Sequence, residues 1–233
     1  FFDARSNKVV SALIRDADPN TTAIKQCFRQ GVERYGVPNE VDFDNGKDYK
    51  SKYFSRDYPY SLVNALGINA IYATPYHGQA KTCERFFGTM EMQFGRMWPT
   101  YCGKDAKQRP ECMRISNAKI AEIAPAKADF IAAFDDWLEK EYHKAPSRGQ
   151  DMDGKAPDQV YAENLKIRRV VSDHDALRIL CGNIAERTVQ KNGISLLNNF
   201  YYNDTLLRYV GQKVVALYDP ANIDEMAIFD TDH

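Results

Sequence analysis

The chain has 233 residues, 44% of them hydrophobic and 27% charged, with a formal net charge of −1. This is an ordinary globular composition, long enough for one large domain or two, and its near-zero charge argues against a protein that merely coats nucleic acid while leaving room for an enzyme with local basic patches. No apolar run reaches membrane-spanning length, no signal peptide is visible, and five cysteines without a CxxC pair beside four scattered histidines argue against structural zinc and for reduced cytosolic thiols.

The opening "FFDARSNKVVSALIRD" starts in mid-strand without Met, which reads as a piece of a longer protein. Phe1–Ala4 and Lys8–Ile14 are expected to pair as a hairpin across "RSN". A helix follows, capped by Asn20 or Thr21. Ile24, Cys27, Phe28, Val32 and Tyr35 lie at helical spacing, and Gly36 with Pro38 ends the helix. "EVDFD" reads as a strand with Val41 and Phe43 on one face and Asp42 and Asp44 on the other. "YSLVNALG" reads as a short helix closed by Gly67, "INAIYAT" as a strand and "PYHGQ" as a loop. From Ala80 to about Met97 a helix is expected, with Cys83, Phe86, Phe87, Met90 and Phe94 as its apolar stripe and Glu84 in its first turns, near the positive end of the dipole.

Residues 99–117 lack periodicity and read as a surface excursion. "KADFIAAFDDWLEKEYHK" is a second long helix burying Phe130, Ile131, Phe134, Trp137, Leu138 and Tyr142, and a short helix starts at Pro157. After "KIRR", Lys166–Arg169, the texture changes. A short helix, "DHDALRIL", precedes "ERTVQKNGISLL", "NFYYND", "QKVVALYDP" and "EMAIFD", which alternate like strands and are divided by turn signals. These runs are expected to form a small antiparallel barrel whose core is filled by the aromatics of "FYYND" and "VVALYD". The boundary falls near residues 165–172, giving domains 1–165 and 170–233.

Asp44 ends a strand, Glu84 opens a helix, and 39 residues separate them, room for one helix and one strand. If both point to one sheet edge, they suit two-metal phosphoryl transfer, in which hard divalent ions roughly 3.5–4 Å apart clamp the attacking and leaving oxygens. Taken singly, an Asp before Asn-Gly also fits a turn, and a Glu near a helix start also fits a dipole partner.

The joint pattern is more specific. "DARSNKVV", "RYGVPNEVDFDNGKDY", "LGINAIYATPYHGQAKTCERFFGTME" and "WLEKEYHKAPSRGQDMDGKAPDQVYAE" follow one another, ahead of "RTVQKNGISLLNNFYYNDTLLRYVGQKVVALYDPANIDEMAIFD". Together they resemble the DDE transposases and retroviral-type integrases, and within them the phage Mu transposase branch. The resemblance implies an α/β fold: a ribonuclease H-like core followed by a small β-barrel. It places the second catalytic aspartate on Asp44 and the catalytic glutamate on Glu84, both as ligands of Mg²⁺ or Mn²⁺. The family's first aspartate would lie on a strand before Phe1, so the chain alone is expected to be inactive. Asp3 and Asp42 do not match a catalytic position.

The implied function is metal-dependent cleavage at transposon 3′ ends followed by strand transfer into target DNA. The alternatives are a nuclease of the same fold without strand transfer, and a non-catalytic DNA-binding or assembly relative. Lys47, Lys50, Gln79, Lys81 and Arg85 are the candidate DNA-binding residues around the carboxylates, and a solvated surface is the plainer role for each. Arg187, Lys191, Arg208 and Lys213 are further candidates in the barrel. "KIRR" reads as either a phosphate-tracking segment or a solvated linker. The implied partners are transposon-end and target DNA, further copies of the chain on DNA, and an ATPase that selects targets. No membrane role is implied, and the setting is the cytoplasm of a bacterium or a phage host.

Overall fold

The computed structural model describes residues 1–18, 20–43, 51–72, 80–103, 116–149, 152–220 and 222–230, with backbone alone at 80–82 and 117. The fold is mixed α/β with antiparallel sheets at the C-terminus. Two compact units divide the chain: Phe1–Ile14 with Thr74–Ile167, and Arg15–Ala73 with Arg168–His233. The chain thus changes unit not only near 167 but also near 14 and 73.

In the first unit the expected N-terminal strands shrink to a single antiparallel bridge, Phe2 to Val9. Asp3 tightens the turn by accepting from the Ser6 amide at 2.8 Å and the Ser6 hydroxyl at 2.6 Å. Its carboxylate therefore serves the turn.

The helices of this unit are α3 (Ala80–Gln93), α4 (Asn117–Ile123), α5 (Lys127–Trp137) and α6 (Pro157–Asn164), where α1 and α2 belong to the second unit. α3 ends earlier than its apolar pattern suggests, in a 3₁₀ turn at Gly95–Met97. Phe86, Met90 and Phe94 share its inner face, one helical repeat apart. Phe87 lies off that face and is 57% exposed, contrary to the expected stripe. α4 starts at the last residue of the expected excursion, and Pro125 separates it from α5.

The long helix expected over 127–144 is α5 continued by a π turn, Leu138–Tyr142. The wider turn brings His143 inside along with Trp137 and Leu138. The core is aromatic: Phe94 stands 5.6 Å from Phe134 and 5.7 Å from Trp137, while Phe86 meets Phe2 at 4.9 Å and Tyr142 at 5.1 Å. A buried polar cluster fastens the N-terminal turn to α6. The Val9 amide donates to His143 Nε2 at 3.2 Å, Lys8 pairs with Asp158, Lys144 meets the other Asp158 oxygen at 2.6 Å, and Tyr142 donates to the Asn7 carbonyl at 3.1 Å.

In the second unit α1 is Thr21–Tyr35. Asn20 caps it by accepting from the Ala23 amide, as its sequence suggests. Gly36 ends it at φ 96°, and a Cβ there would come within 2.7 Å of the Arg169 carbonyl oxygen, so glycine is needed twice over. β1 (Glu40–Phe43) and β2 (Asn69–Tyr72) pair in parallel, Glu40 opposite Asn69, with the short α2 (Leu62–Ala65) between them in sequence. Val41 and Phe43 face inward as the alternation predicts, with Phe43 4.8 Å from Phe54.

α7 (His174–Leu180) leads into β3 (Asn183–Thr188), β4 (Ile194–Leu196), β5 (Asn199–Tyr201), β6 (Lys213–Asp219) and β7 (Asn222–Asp230). One sheet has the order β3-β6-β7, and β4-β5 is a separate hairpin. Leu197 and Asn198, both at positive φ, form its two-residue turn.

β6 is central and buried on both faces, which explains its unbroken apolar run. Val214 packs with Val189, Ile194 and Leu206. Val215 and Leu217 pack with Ile184 and with Tyr53, Tyr58 and Tyr60. The β region is therefore packed against residues preceding α2 as well as upon itself. Buried Lys25 of α1 adds to this: its ammonium lies 3.8 Å over the Tyr53 ring and donates to Gly182 O and to Asn183 Oδ1, the latter at 3.0 Å.

Candidate nucleic-acid interface

Asp44, Lys47, Lys50 and Gln79 lie outside the described residues, as does the Lys81 side chain. Glu84 and Arg85 are exposed on α3. Glu84 is the fifth residue of that helix and so begins its second turn. That weakens the dipole explanation for it, because the effect fades beyond the first turn. Asp42 faces outward on β1. Among the described residues no three His, Cys, Asp or Glu side chains gather as metal ligands. No described helix is long and apolar enough to cross a membrane.

In the basic segment before α7, Arg168 and Arg169 make structural contacts that were not expected from the sequence. Arg168 donates to the Arg34 carbonyl. Arg169 donates to Pro38 O at 3.2 Å, Gly67 O at 3.3 Å and Leu66 O, while its own carbonyl accepts from Val37 at 2.7 Å. This guanidinium gathers the ends of α1 and α2 through the rigid fork of donors that distinguishes Arg from Lys. Its donors go to protein carbonyls and so are committed away from phosphate. The acceptors lie over a hundred residues away in sequence, so no local signal could have revealed the pairing.

Four basic residues of the β region lie near one end of the β3-β6-β7 sheet, with Arg187 and Lys213 on opposite faces of it by register. Arg187 of β3 stands opposite Val214, and Lys213 opposite Thr188. Just beyond, Val189 bridges Val210, and Gln190 bridges Gly193 around a turn that carries Lys191. Arg208 lies in the 3₁₀ segment that ends at Val210. All four are exposed at one end of the sheet, where β3 leaves and β6 begins.

Residues 178–233 match the family model of the Mu transposase C-terminal domain. The match supports a Mu-type transposase relative over the segment that holds β3–β7 and these four residues. It does not extend to α3 or β1. No curated protein matches the chain.

The aromatic run "FYYND" departs from its expected place in the core. Phe200 is 63% exposed and Tyr202 57%, along a cleft of about 630 Å³ between β5 and β7. The residues overlooked in the sequence are polar ones with distant partners: Lys8, His143 and Asp158 in the first unit, and Lys25 in the second. Burial, with Lys8 beside it, holds His143 below its usual range. Burial likewise pushes Lys25 down to about 8.

Proposed function

We propose that the chain is the catalytic part of a DNA transposase, with a ribonuclease H-like core over 1–165 and a small β-barrel over 170–233. The match of residues 178–233 to the Mu transposase C-terminal domain carries the reading. The contexts of Asp44 and Glu84 in "VDFDNGKDY" and "KTCERFFGTME" supply the chemistry by resemblance. Mg²⁺ or Mn²⁺, when bound, supplies Lewis-acid activation of phosphate and attacking oxygen. Asp44 and Glu84 would hold it through carboxylate oxygens. Lys47, Lys50, Gln79, Lys81 and Arg85 would hold phosphates near the carboxylates, and Arg187, Lys191, Arg208 and Lys213 would meet flanking DNA. The reaction is hydrolysis at a transposon end, freeing a 3′-hydroxyl that then attacks a target phosphodiester. Further copies of the chain on DNA and an ATPase that selects targets are the proposed partners.

One observation favours a second reading. The matched segment contains neither proposed carboxylate, so a DNA-binding relative without catalysis accounts for the match equally well. A strand-transfer assay separates the two. The full-length protein is given a pre-cut duplex bearing the terminal sequence of its own element, a target plasmid and Mn²⁺. Transfer that disappears in Asp44→Asn and in Glu84→Gln, with duplex binding kept, is the expected result. Binding without transfer by the unaltered protein selects the second reading, and absence of both rejects the two together. In the same preparation, charge reversal of Lys47 and Lys81 is expected to weaken binding to any sequence and to flatten its salt dependence by about one unit of slope per lost phosphate contact.

A further inference from the structure

We propose that the cleft between β5 and β7 receives an extended peptide segment of a protein partner, bearing apolar side chains and a Lys or Arg, as an added strand. β7 is an edge of its sheet, and β5 is paired with β4 alone among the described residues. Neither edge completes the other. At one end the Tyr201 hydroxyl donates to the Ile223 carbonyl at 2.7 Å. A whole tyrosine side chain thus spans from β5 to β7, wider than the spacing of about 4.8 Å between paired strands. At the other end of β7 the Tyr60 hydroxyl donates to the Asp230 carbonyl. Between these two bonds, Met226–Phe229 is laddered to β6 alone among the described residues, beyond a bulge that takes in Asp224 and Glu225. An edge of this kind offers alternate amides and carbonyls to an incoming strand.

The side chains specify the guest. Phe200 and Tyr202 on one wall, with Met226 and Ile228 on the other, give apolar and aromatic contact. Asp224, Glu225 and Asp230 line the cleft, and no Lys or Arg does. Glu225 is already paired with Arg178 at 2.5 Å, so the pull on a guest cation at that end rests on Asp224. A cation there gains from this carboxylate and from the aromatic faces together. A phosphate backbone meets like charge in the same place, so the cleft selects against nucleic acid. This inference is independent of whether the chain is catalytic.

The test uses the 233-residue chain and a fluorescein-labelled octapeptide of alternating lysine and valine, followed by anisotropy. Two control peptides carry glutamate for lysine, or N-methyl groups on alternate amides. Saturable binding, weakened tenfold or more in both controls, is expected. Asp224→Lys and Phe200→Ala, both exposed positions, should each weaken binding at least tenfold with an unchanged circular dichroism spectrum. Bound peptide should slow amide exchange over Met226–Phe229. Absence of saturable binding, equal binding of the glutamate peptide, or indifference to both substitutions would overturn the proposal. So would displacement of the peptide by a 20-base-pair duplex that Asp224→Lys binds more tightly, since that would make the cleft a nucleic-acid site.

Discussion

The first unit fastens its N-terminal turn through two groups that change charge, His143 and Asp158, joined to Val9, Lys8 and Lys144. The second unit fastens α1, α2 and the β region with cations that donate to carbonyls, Arg169 to Pro38, Leu66 and Gly67, and Lys25 to Gly182. Both solve one problem, which is to join segments more than a hundred residues apart around a modest core. The solutions respond to different conditions. A carboxylate–histidine cluster loosens in acid. An arginine clamp stays charged throughout the accessible range, and a buried lysine responds near its own lowered pKa.

The largest way to break the first unit bypasses its polar cluster. Phe94 is buried and meets the rings of Trp98, Phe130, Phe134 and Trp137. Phe94→Ala removes a ring from a packed aromatic core and should cost about 3–5 kcal/mol. Both tryptophans, Trp98 and Trp137, belong to this unit, so their fluorescence reports on it alone. The denaturation midpoint by fluorescence should drop accordingly. A midpoint within 1 kcal/mol of the unaltered chain would show that the ring packs less tightly than its 3% exposure implies.

A smaller effect sharpens the comparison by pH. The Val9 amide needs a lone pair on His143 Nε2, so the neutral ring carries its proton on Nδ1, toward Glu139. Burial and then Lys8 hold the ring below its usual value of 6.5, against the opposing pull of Glu139 and Asp158. The unfolded chain therefore takes up this proton before the folded one does. Stability is intact above about pH 6.5 and declines as pH falls toward the lowered folded value. Asp158 adds to the decline at lower pH. Burial opposes its ionisation, but hydrogen bonds from Lys144 and Lys8 outweigh burial and hold it below its usual value. The fluorescence midpoint should fall between pH 7 and 5, and His143→Gln should flatten that fall. An equal slope in the variant would assign the acid response to other groups.

These contrasts also show what the sequence could and could not disclose. Local rules worked where the deciding partner is local or the period is clear. Asn20 caps α1, the alternation in "EVDF" orients β1, and "QKVVALYDP" holds a strand. They failed where an apolar side chain stays exposed, as at Phe87, Phe200 and Tyr202, because hydrophobicity states a preference and not a contact. They failed again for Arg168, Arg169, Lys25 and His143, whose partners are remote in sequence and whose type suggests a surface. For the candidate site, Glu84 and Arg85 are exposed, which fits the proposed role and the plain surface role alike. The roles of Asp44 and Glu84 rest on sequence context, which periodicity and spacing alone could not supply.

The smallest expected effect runs the other way in pH and belongs to the second unit. Lys25 is buried, and burial lowers its pKa to about 8, against smaller opposing contributions from Cys181 and Asp219. Between that value and the ordinary 10.5 the unfolded chain binds more protons than the folded one, so this group makes the fold more stable as pH rises. Cys181 works against it at higher pH. Burial pushes its thiol up to about 12 from an ordinary 9.0, so stability is lost as pH climbs past 9. The two together leave a window between about pH 8 and 9 in which the Lys25 contribution dominates. Amide exchange of β6, the central strand, should slow slightly across that window once corrected for the intrinsic effect of pH. Lys25→Met keeps the stem over the Tyr53 ring but removes the titrating group and the donor to Gly182. In that variant the corrected rates should be flat between pH 8 and 9. A slope that persists would mean that Lys25 is solvated enough to keep its charge, and the contrast between the two units would then rest on Arg169.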